Sequence, residues 1–246
     1  ARIAGYFAMM ARDQGCIGMA FTNTSPWVVP TRATKRALGT NAFAAAAPAG
    51  DDSYVMDMAT STVPIGKVEV CHRKGQAMPL GWGVDADGNP TTDPEKIIKG
   101  GGLTPLGGAE ETAGYKGYAI GMLVEILCGV TGDAAFGTDV QPWLPSRAGP
   151  IDYAHCFIAI DVSKFHPGFE GRMKAYCDQM RGLPAAPSAD GPVLVPGDPE
   201  RDNERKAATQ GVSLNTKIAG SVKALAQRLK VPLPKSFDDI KVVQTR

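Results

Sequence analysis

The sequence has no excess of charge of either sign. Its 246 residues contain 26 lysines and arginines against 25 aspartates and glutamates, for a formal net charge of +1. Domains that bind nucleic acid by neutralising phosphates carry a clear basic excess, so this balance argues against that class of partner. With 43% hydrophobic and 21% charged residues, the composition is that of a folded globular chain. We therefore expect an ordered protein with no nucleic-acid partner.

Paired cysteines and long apolar runs are also missing. The cysteines are odd in number and include no C-x-x-C pair, which argues against a zinc ribbon or a disulfide framework. Residues 1–15 show no basic stretch followed by an apolar core, so they do not resemble a secretory signal. The longest apolar run, Tyr118 to Val130, contains Glu125 and falls short of the roughly 20 residues that span a bilayer. We expect a cytoplasmic protein with reduced thiols, no metal site and no membrane partner.

The common cofactor and catalytic signatures do not occur. No G-x-G-x-x-G segment follows a predicted strand, and the cluster Gly100–Gly102 is broken by Pro105. There is no Walker A motif, G-x-S-x-G turn or H-E-x-x-H helix. We expect His72 on a helix surface, His155 in a structural role at the start of a strand, and His166 in a loop. None of the three has the sequence context of a standard catalytic histidine.

What the sequence does contain is an alternation of helical and strand-like segments. Residues 3–13 predict an amphipathic helix with Ile3, Phe7 and Met10 on one apolar face. Residues 26–53 are rich in glycine and proline and predict loops. The spacing of apolar residues predicts further helices at 62–74, 117–130 (buried on most sides), 169–180, 201–210 and 217–229, and strands at 16–21, 54–58, 155–161 (central in its sheet) and 193–196. This interleaving predicts an α/β architecture.

Several short loop sequences occur in an order that is typical of one family. They are Phe21–Pro26 (FTNTSP), Leu38–Asn41 (LGTN), Asp57–Thr60 (DMAT), Gly114–Tyr118 (GYKGY) and Pro196–Glu200 (PGDPE), with Phe157–Asp161 (FIAID) and Pro167–Glu170 (PGFE) between the last two. Each motif alone is weakly specific, but together they are in register over residues 3 to about 230. The set resembles the malate/L-lactate dehydrogenase family, which also includes ureidoglycolate and sulfolactate dehydrogenases.

The resemblance implies an NAD(P)-dependent oxidoreductase that interconverts a small, malate-like 2-hydroxy acid and its 2-oxo acid. It also implies the family's own cofactor-binding α/β fold, a mixed sheet with flanking helices. That fold is distinct from the Rossmann fold, which explains the missing glycine fingerprint. The resemblance further implies a dimer in which each active site contains residues of both subunits. We therefore expect a homodimer that uses NAD or NADP and a small-molecule 2-hydroxy or 2-oxo acid.

Carried over position by position, the resemblance implies a set of cofactor-binding residues in loops and at helix starts. Thr24 would offer a hydroxyl, Asp57 would accept hydrogen bonds from ribose hydroxyls, and Lys116 would supply a positive charge. The N–H groups near Thr60 would favour phosphate at a helix start, and Gly117 would let backbone approach closely. The full set is Thr24, Asp57, Met58, Ala59, Thr60, Lys116, Gly197, Asp198, Pro199 and Glu200.

Two features depart from the family pattern. The family's proton-transferring histidine belongs to a motif just before Ala-Gly-Tyr, and here it would fall one residue before Ala1, ahead of Ala4–Tyr6. Asn41 is followed by Ala42 where the family usually has proline. We therefore assign no catalytic residue. We expect residues 1–234 to form a partial family domain without its N-terminal segment, with a cofactor-binding core at about 16–160, C-terminal helices at about 169–230 and a tail at 235–246.

Two interpretations of that departure stay open. In the first, these residues are the larger part of a dehydrogenase whose N-terminal segment supplies the base. In the second, they form a catalytically inactive cofactor-binding or structural dimer module. The distinction matters because a positioned proton donor or acceptor contributes about 10²–10⁴ in rate.

Overall fold

The described residues form two compact units. The computed structural model describes residues 3–142, 152–212 and 216–233. One unit extends to Gly197 and the other begins at Asp198. Within the first unit, helices flank sheets that contain both antiparallel and parallel strand pairs, which confirms the predicted α/β architecture. The predicted extent of one domain over residues 1–234 stays a prediction, and the tail at 235–246 lies outside the described residues.

Most of the predicted elements are present, with ends that shift by a few residues. The helix predicted at 62–74 begins only at Ile65, because Pro64 is extended and precedes the first turn. In chain order the elements are α1 (Ala4–Arg12), β1 (Cys16–Thr22), β2 (Pro26–Val28), β3 (Leu38–Gly39), β4 (Ala42–Ala49), β5 (Asp52–Met58), α2 (Ile65–Lys74), β6 (Gly83–Val84), α3 (Pro94–Ile98), β7 (Gly102–Leu103), α4 (Gly114–Glu125), β8 (His155–Asp161), α5 (Phe169–Arg181), α6 (Asp198–Gln210) and α7 (Thr216–Leu229).

The larger sheet has the strand order β5-β4-β1-β8, and all its neighbouring strands are antiparallel. Helix α1 packs on one face, where helix and strands both present alanine, and Ala8 and Ala44 are fully buried. A Cβ at Gly18 would collide with the backbone oxygen of Ala8, so the two backbones lie very close. Strand β4 lies within residues 26–53, where the prediction of loops is wrong. Alanine has little strand propensity, and pairing with β1 and β5 makes this segment a strand.

Exposure in this region differs from what the apolar pattern predicts. The apolar face of α1 points away from the sheet, with Ile3 64% and Met10 52% exposed, while Ala8 on the opposite face is buried. Strand β8 lies at the edge of the sheet and most of its residues are exposed, so the prediction of a central strand is wrong. The pattern predicted both elements but not their partners, because small alanines rather than large apolar residues make the contact with the sheet.

The opposite face of the larger sheet packs against the end of α4. The helix continues into a wider, π-helical turn at Ile126–Val130, and Val124 and Cys128 form a core cluster with Phe21 of β1. The helix predicted at 117–130 is present, but the prediction that it is buried on most sides is wrong, since apolar side chains on the other side of α4 are exposed. Burial raises the pKa of the Cys128 thiol to about 11, and all five cysteines are free thiols.

The smaller sheet has the order β3-β2-β7-β6, and its β2-β7 pair is parallel. Helices α2 and α3 cover it, and its core includes Val28, Val68, Ile97 and Leu103. The strand predicted at 193–196 is wrong. That segment is irregular, although the carbonyl of Pro196 accepts one hydrogen bond from the N–H of Val55, at 3.1 Å.

The second unit contains α6 and α7 in its described part. Helix α6 is highly charged, and Arg201 pairs with Asp198 one turn earlier at 2.6 Å. In the ranges that the structure describes, no helix combines the length and apolarity needed to cross a bilayer.

Candidate functional site

The end of β1, the start of β4 and the end of β5 lie side by side at one edge of the larger sheet, the edge formed by strand ends and not the one formed by strand β8. Strands β1 and β5 both pair antiparallel to β4, so they run parallel to each other and end at the same edge. Phe21 near the end of β1 lies opposite Phe43 of β4, which lies opposite Met58 at the end of β5. The segments that follow β1, precede β4 and end β5 are therefore neighbours. These segments carry Thr24 and the Asp57–Thr60 run.

The hydroxyls of three threonines lie close together at this edge. Thr24 Oγ1 is 3.4 Å from Thr40 Oγ1. The N–H and the hydroxyl of Thr60 both donate to the carbonyl of Thr40, at 2.9 and 3.3 Å. The structure thus brings Thr24 and Thr60 together through Thr40, a residue that the sequence reasoning did not include in the site.

Asp57 lies beside the first turn of α1. Its Oδ2 accepts a hydrogen bond from the N–H of Gly5 at 2.8 Å. A helix N-terminus exposes unpaired N–H groups and favours negative charge, so this contact stabilises the start of α1. A carboxylate has about four lone-pair sites on two oxygens. Asp57 therefore retains acceptor capacity beside the predicted cofactor residues Met58 and Ala59, which are half-buried at the end of β5.

Lys116 lies exposed in the first turn of α4. The turn packs on Leu106 through Gly117, and the N–H of Leu106 in turn donates to the carbonyl of Thr60 at 2.9 Å. A Cβ at Gly117 would collide with the backbone of Leu106, so the glycine is needed for contact within the chain. The close approach that was predicted for a ligand at Gly117 is therefore taken up by the packing of α4 on the loop before it.

A buried carboxyl group lies behind this edge. Glu125, in the last turn of α4, is only 6% exposed. Its Oε1 accepts a hydrogen bond from Asn41 Nδ2 at 2.9 Å, and its Oε2 accepts one from Asn23 Nδ2 at 3.2 Å. Asn41 Oδ1 in turn accepts from the N–H of Thr24 at 3.1 Å. The loops after β1 and before β4 thus share one buried acceptor.

The remaining predicted residues fall on both sides of the boundary between the units. Gly197 is buried at the end of the first unit, next to Pro196, which is hydrogen-bonded to β5. Asp198, Pro199 and Glu200 open α6 in the second unit. Their part in a shared cofactor site stays a prediction.

A cavity of about 820 Å³ lies beside this edge and not within it. Its wall includes residues 104–105 and 107–112, which lead into α4, together with Trp82 and Thr31, and none of the predicted cofactor residues lines it. Arg32 Nε donates to Glu110 Oε2 across part of the wall at 2.9 Å, and this hydrogen bond lowers the pKa of Glu110. The volume suits a small molecule. Among the residues that the structure describes, no cluster of side chains is placed to hold a metal ion.

The histidines lie in three different places. His72 is exposed on α2 and His166 is exposed in a loop, as predicted. His155 opens β8 as predicted, but it is exposed, and it pairs with Thr22 at the edge where the candidate site lies; its structural role stays a prediction. Its ring is 6.0 Å from that of Phe157, and partial burial lowers its pKa.

Sequence reasoning missed the buried contacts of Asn23, Asn41 and Glu125. Two of these residues stand inside the motifs that carried the resemblance, and Glu125 interrupts an otherwise apolar helix. A charged residue in such a run is a usable signal, because burying it requires hydrogen-bond partners. The identity of those partners needed the structure, since they lie 84 and 102 residues away in the chain.

Comparison with known proteins finds dehydrogenases that are similar to this chain. The malate dehydrogenase of Pyrococcus abyssi is 34% identical over 232 residues, which are 93% of this chain and 63% of that protein. The malate/(S)-sulfolactate dehydrogenase of Methanothermus fervidus is 35% identical over 234 residues, covering 94% of this chain and 65% of the relative.

A solved structure has the same fold. The crystal structure of malate dehydrogenase from Entamoeba histolytica matches with a TM-score of 0.87 and 30% identity, over 94% of this chain and 66% of the other. The chain thus spans less than two thirds of the length of each of these relatives. The family model described as malate/L-lactate dehydrogenase matches residues 1–223, and the chain belongs to that family.

Proposed function

We propose that the protein is an NAD(P)-dependent oxidoreductase that interconverts a small, malate-like 2-hydroxy acid and its 2-oxo acid. The observation that carries this proposal is the meeting of Thr24, Thr60 and the first turn of α4 at one edge of the larger sheet, through Thr40 and Leu106. The relatives named as malate and malate/(S)-sulfolactate dehydrogenases support the substrate class.

The side chains at this edge suit a dinucleotide. The half-buried Thr24 has a hydroxyl that can donate or accept, the exposed Asp57 offers carboxylate oxygens to ribose hydroxyls, and Lys116 is an exposed cation for a phosphate. Thr60 is buried and its hydroxyl donates to the carbonyl of Thr40, so it supports the loop from behind. The hydroxyl, carboxylate and ammonium groups of these side chains are complementary to the polar groups of a dinucleotide. When bound, the nicotinamide ring supplies the hydride acceptor or donor, and the chain's own residues bind and orient it.

The activity proposed is that of the whole protein. Transfer of a hydride at a hydroxyl carbon also needs a group that takes or gives a proton at the oxygen. We assign this role to none of the described residues. The family's proton-transferring histidine has no counterpart within residues 1–246.

A second candidate function is a module that binds the cofactor without turnover. It is favoured by the positions of two histidines, because neither lies at the edge where the predicted cofactor residues meet. His72 lies on α2 beside the smaller sheet, and His166 follows the end of β8 at the opposite edge of the larger sheet. Of the described histidines, only His155 lies at the edge where the cofactor residues meet.

We also propose that the protein is a homodimer in the cytoplasm. Exposed apolar residues support the dimer, since Ile3, Met10 and Phe157 are each more than half exposed on α1 and the neighbouring edge strand. Phe7 contacts Phe157 with ring centroids 5.0 Å apart, which makes the patch continuous. Contiguous apolar patches mark interaction surfaces. The five free thiols suit a reducing compartment.

Titration of the purified chain with NADH and with NADPH, followed by fluorescence, tests the cofactor role directly. Oxidation of the bound cofactor by oxaloacetate or pyruvate would support the dehydrogenase. Tight binding without oxidation would favour the second candidate, and the absence of binding to either nucleotide would overturn both. Sedimentation equilibrium of the same sample measures the oligomeric state, and a monomer at micromolar concentration would contradict the dimer.

A further inference from the structure

We propose that Glu125 is a positioning residue that holds the Thr24 loop in the geometry that binds the cofactor. The part of this inference that concerns the cofactor rests on the proposed function. The part that concerns the loop stands on the hydrogen bonds of the structure alone.

The carboxyl group of Glu125 joins two loops that are far apart in the chain. Each of its oxygens accepts from a different asparagine, Asn41 Nδ2 at 2.9 Å and Asn23 Nδ2 at 3.2 Å. Asn23 directly precedes Thr24, and Asn41 lies at the start of β4. Because Glu125 comes from α4, the carboxyl group ties both loops to the end of that helix.

The two asparagines transmit this contact to the backbone around Thr24. Asn41 Oδ1 accepts from the N–H of Thr24 at 3.1 Å. Asn23 Oδ1 accepts from the N–H of Ala154 at 2.9 Å, and Asn23 Nδ2 also donates to the carbonyl of Ala135 at 2.8 Å. Turning either amide round would place its donors against other donors. The hydrogen-bond partners of each amide therefore determine its orientation, and Glu125 is one of those partners for both amides.

Asn41 has a further constraint that makes its side chain important. Its φ is +31°, in the left-handed region that asparagine tolerates better than most residues. The hydrogen bonds of its amide to Glu125 and to the carbonyl of Gly121, at 3.1 Å, hold it in that conformation. Asn41 lies between Thr40 and the first residue of β4. Loss of the Glu125 contact therefore acts on the segment that also carries the Thr40 carbonyl used by Thr60.

A carboxyl group is needed here because two donors face it. Glutamine in the same place would present one acceptor and one donor, so one of the two asparagines would meet a donor instead of an acceptor. Among the described residues, Glu125 takes part in no ion pair, so its buried oxygens depend on these amides. Burial of such a group is costly unless its hydrogen bonds are made. A side chain that only filled space at this point would be better apolar, and Glu125 instead fixes the direction of two loops.

The variant Glu125→Gln tests the proposal, with Val124→Ala as its matched control. Val124 is the neighbouring, fully buried residue, and it packs on Phe21 without any hydrogen bond to the loops. The first measurement is hydrogen exchange at the Thr24 amide relative to the Ala20 amide inside β1. We expect Glu125→Gln to raise this ratio about tenfold or more and Val124→Ala to leave it unchanged. An unchanged ratio in folded Glu125→Gln would overturn the proposal, whatever the cofactor does.

The second measurement is the dissociation constant for NADH. We expect Glu125→Gln to weaken binding about tenfold, or about 1.4 kcal/mol, and Val124→Ala to leave it within twofold. In the double variant Glu125→Gln with Thr24→Ala, the loss should be clearly smaller than the sum of the two single losses, because both changes disable the Thr24 contact. Additive losses would show that Glu125 does not act through Thr24, and would overturn the positioning role.

The two readouts separate this proposal from the proposed function. If the unmodified protein binds neither NADH nor NADPH, the proposed function fails, and the cofactor role of Glu125 fails with it. The exchange ratio at Thr24 would still decide whether Glu125 holds the loop. If Glu125→Gln does not fold, Glu125→Asp keeps both acceptor oxygens on a shorter side chain. We then expect weaker NADH binding with a raised exchange ratio, and normal values of both would overturn the proposal.

Discussion

The two faces of the larger sheet are packed in different ways. The alanine face has only alanine among its buried side chains: Ala20, Ala44 and Ala46 of the sheet and Ala4 and Ala8 of α1. The α4 face, formed by Phe21, Val124 and Cys128, contains larger apolar groups and leads into the hydrogen bonds of Glu125.

This difference separates a face of the sheet that only packs from one that leads to the candidate site. On the alanine face the backbones of α1 and β1 approach so closely that Gly18 has no room for a side chain. Such close packing leaves no space for a polar side chain between α1 and β1 at this point. On the α4 face larger side chains lie between helix and strands, and Glu125 makes its hydrogen bonds to the loops at the end of the sheet. Asp57 contacts α1 and Lys116 lies on α4, so the candidate site forms where the two faces end.

The largest expected effect is on the α4 face. Phe21 is buried and stacked on Phe43 with ring centroids 4.8 Å apart. We expect Phe21→Ala to lower the free energy of unfolding by about 3–5 kcal/mol, because it removes a large side chain from a packed cluster. Urea denaturation measures this change. A loss below about 1 kcal/mol would mean that this face contributes little to stability.

A smaller effect of opposite origin is expected on the alanine face. Ala8 is fully buried, and its backbone lies against Gly18. We expect Ala8→Leu to destabilise the fold by about 1–3 kcal/mol through overpacking. Met10→Leu, on the exposed side of the same helix, is the control and should change the unfolding free energy by less than about 0.5 kcal/mol. Equal effects of the two variants would contradict the close approach of α1 to the sheet.

Removal of the cation on α4 tests whether the site depends on that side. We expect Lys116→Ala to weaken NADH binding about tenfold, or about 1.4 kcal/mol, with unchanged stability because the side chain is exposed. Lys99→Ala is the matched control, since Lys99 is an exposed lysine directly after α3 that pairs with Glu95. An unchanged dissociation constant in folded Lys116→Ala would remove Lys116 from the site.

The smallest effect concerns His155 on the exposed edge strand. Partial burial lowers its pKa in the folded protein, because it disfavours the charged ring. The unfolded chain therefore binds the proton more readily, and this contribution to stability falls as the pH drops through the ordinary histidine range near about 6.5. Thermal unfolding at neutral and mildly acidic pH should show a smaller loss for His155→Gln than for the unmodified protein. An identical loss in both would contradict the lowered pKa.

The sequence by itself determined the family, most helices and strands, and the loops that carry Thr24, Asp57 and Lys116. These features are local: periodic apolar residues predict an element, and a short motif keeps its residues adjacent in the chain. The strand at Ala42–Ala49 was not predicted, because alanine has little strand propensity and this segment is a strand through its pairing with β1 and β5.

The tertiary structure alone decided which faces are buried and which residues meet. The apolar stripe with Ile3 and Met10 lies outward because alanine, not the larger residues, fits the space between α1 and the sheet. Glu125 meets Asn23 and Asn41 across 102 and 84 residues of chain. A buried carboxyl group requires donors, but only the packing of α4 against the strand ends determines which donors it finds.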